Sequence, residues 1–130
     1  MNQHKEERWH KKVISQEFQD LYIRSLESTL HKLSTAYESM TEKGSNTALV
    51  KMRRDAVKTG LESLRCDWNA EEFICDDEIM LTSIKTLQGI VPSIEKQLVK
   101  AKDGSSQKTL NERRLTAINL SVESLKNRFQ

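Results

Sequence analysis

Cys66 and Cys75, His4, His10 and His31, and the acidic pair Asp76 and Asp77 are residues whose types could ligate a metal, move a proton or attack an electrophile. The cysteines stand nine positions apart. That is neither the CxxC of a redox pair nor a zinc-ligand spacing, and the histidines do not cluster with them in sequence. They read as two reduced structural thiols; a disulfide would instead mean an oxidising compartment and a turn that brings them together. Asp76 and Asp77, as neighbours on a helix, point in different directions, and no EF-hand spacing follows them. Negative charge at a helix N-terminus is the simpler reading. With no convergent nucleophile, base and oxyanion donors, the expectation is a non-enzymatic chain with no cofactor, no metal and no small-molecule substrate.

His31 lies in the run LHKLS. Histidine phosphotransfer modules, which are also helical bundles, present their histidine in a context like HxLKG. The residues after His31 are Lys32, Leu33, Ser34 and Thr35, so His31 reads as a surface or boundary histidine. Cations offer a different route to phosphate. Arg53, Arg54 and Lys58 in MRRDAVK, with Arg113 and Arg114, are candidate anion-binding residues for a nucleic-acid backbone. The net charge of +2 steers weakly toward nucleic acid or anionic membrane. An aromatic content of 5% leaves little for base stacking, and no zinc finger or RNP signature occurs. Nucleic-acid association is therefore the second reading.

These side chains must be positioned by helices, because 36% apolar and 31% charged residues with one proline suit charged-faced helices better than a sheet. Residues 1–43 hold no glycine or proline and read from about Lys5 as one helix, roughly 57 Å long. Ile23, Leu26, Leu30, Leu33, Tyr37 and Met40 alternate steps of three and four, the pattern of a coiled-coil-like core. Upstream, Ile14, Phe18, Tyr22 and Leu26 step by fours, so the stripe slews around the helix. In TEKGSNT, Gly44 ends this helix and Ser45 or Asn46 caps the next. The second helix carries Val50, Val57, Leu61, Leu64 and Trp68, with Arg54 where an apolar residue is wanted.

Either Asn69 or Asp76 caps a third helix, whose stripe of Met80, Ile84, Leu87, Val91, Ile94, Leu98 and Ala101 keeps its phase across Pro92. That predicts one helix kinked at the proline rather than a break at Gly89. KDGSSQK marks the next reversal, Thr109 with Glu112 forms a capping box, and Leu115, Ile118, Val122, Leu125 and Phe129 complete a fourth helix. Trp68-Asn69-Ala70 resembles, over three residues, the WxG turn of the small helical proteins exported by type VII secretion. Ala70 stands where that turn has glycine, nothing further is carried over, and Trp68 reads as an aromatic plug at the bundle end.

Short loops between successive helices predict an all-α, antiparallel up-down four-helix bundle with an overlong first helix and a Pro-kinked third. It forms one domain over residues 1–130, with 1–20 as a protruding arm. The topology gathers Glu71, Glu72, Asp76, Asp77 and Glu78 at the end from which the arm emerges, and a basic set including Arg53, Arg54, Arg113 and Arg114 at the other. No run approaches the ~20 apolar residues of a membrane span, and residues 1–12 lack the apolar core of a secretory signal, so the expected address is cytoplasmic, away from membrane. The expected function is a protein–protein interaction module, a small adaptor, inhibitor or chaperone-like bundle. Its expected partner is another protein or itself as a homodimer, held through Trp9, Val13, Phe18 and Tyr22.

Overall fold

The structure is a computed structural model and describes residues 14–129. Four helices account for most of it: α1 (Gln16–Glu42), α2 (Ala48–Asn69), α3 (Asp77–Lys100) and α4 (Ser106–Asn127). They form an up-down bundle with no strand among the described residues. Two ends follow: a basal end, where α1 and α3 begin and α2 and α4 finish, and an apical end opposite.

Local chemistry sets the helix bounds. Ser15 is extended, and its hydroxyl accepts the Phe18 amide proton, so α1 starts at Gln16. The helix expected to run uninterrupted from about Lys5 is interrupted at Ile14 and Ser15, where the serine cap satisfies a free first-turn amide; the part of that expectation over residues 5–13 lies outside the described residues. α1 is 27 residues long, about 40 Å and five residues longer than α2. Gly44, at φ +74°, follows its end, and the Asn46 side chain accepts the Ala48 amide proton just inside α2. α4 also starts earlier than expected. Ser105, not Thr109, is its cap, accepting from the Lys108 amide, and Thr109 lies inside the first turn. α3 begins after Asp76 and runs unbroken through Pro92. Pro92 and Gln88 are both exposed, so the carbonyl that loses its amide partner is on the wet side of the helix.

The core draws on every helix. Leu26 comes from α1, Val57, Leu61 and Leu64 from α2, Ile84, Leu87 and Ile94 from α3, and Ile118, Val122 and Leu125 from α4. Sequential neighbours pack together, and α1 also packs on α4. Across the diagonals the bundle is unequal: the α2 and α4 backbones approach closely, whereas those of α1 and α3 stay farther apart. The α2–α4 approach follows from small side chains. Ala56, Gly60 and Ser63 on α2 and Ala117, Ser121 and Ser124 on α4 are all buried. Both sets step by four and then three, so each lies along one helix face.

Candidate functional site

The same small-residue stripe ends at the basal end in a closed ring of hydrogen bonds. Arg128, just past α4, donates from Nε to Ser63 Oγ at 2.7 Å, and from Nη2 to Ser63 O at 2.9 Å and Asp67 Oδ1 at 2.8 Å. Ser124 donates its hydroxyl proton to Asp67 Oδ2. The Ser63 and Ser124 oxygens also touch, and since the Ser124 proton is committed to Asp67, Ser63 is the donor to Ser124. Arg128 further lies over the Phe73 ring, 4.5 Å from its centroid. Both serine hydroxyls are thus used up in holding the chain's last turn against α2. The arrangement is a clasp rather than a nucleophile with its base.

The basal end also presents unpaired apolar groups. Phe18, in the first turn of α1, is 52% exposed and stacks on Tyr22 at 6.2 Å, while Tyr22 is half-buried against the core. Ile74, in the connection between α2 and α3, is 85% exposed, and Phe129 after α4 is 40% exposed. Phe129 was expected to continue the α4 core stripe; helix α4 stops at Asn127 and Arg128 takes the inward place. Glu71, Glu72, Asp76, Asp77 and Glu78 are all exposed at this end. Trp9 and Val13, the other two expected partner-binding residues, lie outside the described residues. Trp68 packs against the core, half-buried, as a plug would.

An open groove of about 580 Å³ runs between α2 and α3. Met52 and Ile79, each 49% exposed, are its apolar rims, and the buried Ala56 and Ser83 lie at its base. Among the described residues, Asp55, Glu62 and Glu78 line it, against one cation, Lys58. Asp55 is bonded to Arg54 at 3.0 Å, with Lys51 at 3.8 Å. Glu62 and Glu78 have no ion-pair partner among the described residues. Cys75 reaches into the basal half, where burial first, and then the carboxylates of Asp76, Glu62 and Asp77, push its thiol above the ordinary cysteine range. Sequence spacing could not have paired α2 with α3 residues to reveal this groove; the exposed Met52 and Ile79, off their helices' core stripes, were the available signal.

The five basic residues expected to form an anion site have different neighbours. Arg54 lies over the Tyr37 ring of α1 at 4.4 Å and bonds to Asp55, which explains its place on the core side. Lys58 lines the groove toward α3. Arg114 has its Nε buried, and Arg53 and Arg113 are half-buried. Asn111, one turn from Arg114, is only 1% exposed and neither atom of its amide has a hydrogen-bond partner. Nothing in the core pattern pointed to a buried asparagine.

His31 is exposed on α1, and Cys66 and Cys75 are free thiols. Among the described residues, no group of three or more His, Cys, Asp or Glu is placed to hold a metal ion, and no helix is long and apolar enough to cross a membrane. No protein-family model, curated protein or solved structure matches this chain.

Proposed function

We propose that this chain is a non-enzymatic protein-interaction module, a small helical adaptor, inhibitor or chaperone-like bundle that binds through its basal end. The observation that carries the reading is the exposure of Phe18, Ile74 and Phe129, from three different segments, at the basal end, two of them aromatic, whereas the exposed Leu49, Met52, Val99 and Leu110 of the apical half are all aliphatic. Large apolar groups gathered at one place mark interaction surfaces more often than scattered ones do, and aromatic residues dominate interface energetics. Tyr22 contributes by holding the Phe18 ring in place rather than by direct display. Trp9 and Val13, which precede α1 in the sequence, belong to the same proposed partner-binding set. Free thiols on Cys66 and Cys75 fit the reducing cytoplasm.

The test compares the full chain with the variant Phe18→Ser with Phe129→Ser, both substitutions being at exposed positions. Mass in solution over a range of concentrations, and capture of partners from the native host, are measured for each. The reading expects the wild type to associate or to capture a partner that the variant loses, with the thermal unfolding of both alike. A wild type that stays monomeric and captures nothing beyond what the variant captures removes it.

A further inference from the structure

The α2–α3 groove reaches the basal end through Cys75 and Glu78, but Phe18, Ile74 and Phe129 do not line it, and it has its own chemistry. Its α2 wall runs from Met52 to Glu62, ten residues or about 15 Å, which matches roughly three turns of a helix laid alongside. Its volume of about 580 Å³ lies within the range of sites that take a drug-sized group, so it accepts a few side chains and not a whole helix. The walls are two antiparallel helices whose ridges offer a furrow to a third. No sheet edge among the described residues is available to pair with an extended peptide.

Charge selects among possible helices. Glu62 and Glu78 flank the basal half without an ion-pair partner among the described residues, and Asp76 and Asp77 stand exposed beside it at the start of α3. Among the described residues, Lys58 is the only cation on the lining. A helix with acidic flanks would meet this row of carboxylates unfavourably; one with basic flanks would satisfy it and be steered to it. Met52, unbranched and adaptable, suits an anchor of variable shape at the apical rim.

We infer that the α2–α3 groove is a docking site for a basic amphipathic helix of a partner protein. Its apolar stripe lies between Met52 and Ile79, and its Lys or Arg flank faces Glu62 and Glu78. The thiol of Cys75 reports on occupancy, because it lines the groove while Cys66 does not.

The experiment uses the full chain and two synthetic amphipathic helices of about 18 residues with the same leucine stripe, one flanked by lysines and the other by glutamates. Binding is followed by fluorescence anisotropy, and alkylation of Cys75 relative to Cys66 by mass spectrometry of the digested protein. The lysine-flanked peptide binds about tenfold tighter or more than its twin, as two favourable charge contacts replaced by two unfavourable ones require. At saturation it slows Cys75 alkylation several-fold and leaves Cys66 unchanged. Glu62→Lys with Glu78→Lys, both at exposed positions, reverses the preference. Single Glu62→Gln and Glu78→Gln variants each reduce it, which keeps the test intact should the double variant misfold.

Equal affinities, a preference unmoved by the Gln and Lys variants, or Cys75 alkylation unaffected by bound peptide overturns the proposal. So does protection of Cys75 by raising the protein's own concentration, which assigns the groove to a second copy. Protection by a small uncharged apolar probe, with neither peptide effective, makes it a small-molecule site and likewise overturns it. Phe18→Ser with Phe129→Ser leaves peptide binding unchanged, so this inference and the basal-end reading fail independently.

Discussion

Gly60 of α2 lies against Ser121 of α4 so closely that a Cβ on the glycine would sit 2.8 Å from the serine Cβ and 2.9 Å from its hydroxyl oxygen. The serine Cβ is fixed to its helix backbone and cannot swing aside as the tip of a long side chain would, and the hydroxyl can turn away only by giving up its bond to the Ile118 carbonyl. The short α2–α4 diagonal, and with it the alignment of Ser63 with Ser124, rests on this contact.

Gly60→Ala therefore tests the packing against helix propensity. In an exposed helix the change would stabilise by about 1 kcal/mol. At this position overpacking costs about 1–3 kcal/mol, so a net loss of up to about 2 kcal/mol is expected in urea unfolding. Recovery of part of that loss on adding Ser121→Gly would assign it to the pair. A more stable Gly60→Ala variant would mean that the helices are not in such close contact.

Ala70→Gly is expected to act in the opposite direction. Ala70 ends α2 at φ 58°, a left-handed conformation that disfavours a side chain, and its amide bonds back to Cys66 O. Removing its Cβ should stabilise the protein by about 1 kcal/mol, seen as a higher melting temperature with no change in circular dichroism. A lower melting temperature would count against the left-handed cap.

Arg128→Ala opens the clasp. The Ser63 carbonyl and the Asp67 carboxylate each lose a donor, while Ser124 keeps its bond to Asp67. Because Asp67 is partly wet, water recovers some of the loss, and about 1–2 kcal/mol of destabilisation is expected. A double-mutant cycle with Asp67→Asn should show coupling of about 0.5–1 kcal/mol. Strict additivity would reduce the ring to coincidental proximity.

Asn111→Leu should raise stability. The asparagine amide is buried with both atoms unpartnered, a cost of about 1–3 kcal/mol that an apolar side chain of similar size removes. Chemical unfolding of the variant gives the sign directly; a loss of stability would point to a buried water satisfying Asn111 in the native protein.

Which parts of this were legible beforehand divides by range along the chain. Helical periodicity is a local property, and so the apolar stripes of α1 and α3 and the helix running through Pro92 were readable from spacing alone. Turn residues such as Gly44 and Asp103-Gly104 act on their own backbone, which placed the reversals. The helix starts at Ser15 and Ser105 were local too, but they were hidden by a longer apolar pattern and by a competing capping box.

The number of helices and their up-down order were determined by the sequence by itself, because short loops leave antiparallel neighbours as the natural packing. Tertiary structure alone decided which diagonal closed. Gly60 and Ser121 are far apart in the chain, and only packing reveals that small residues on both helices let α2 and α4 meet while α1 and α3 stand apart. The Ser63–Ser124–Asp67–Arg128 ring and the α2–α3 groove are consequences of that choice. Such features follow from relative helix rotation and distance, which a one-dimensional pattern of apolar residues leaves open to within a fraction of a turn.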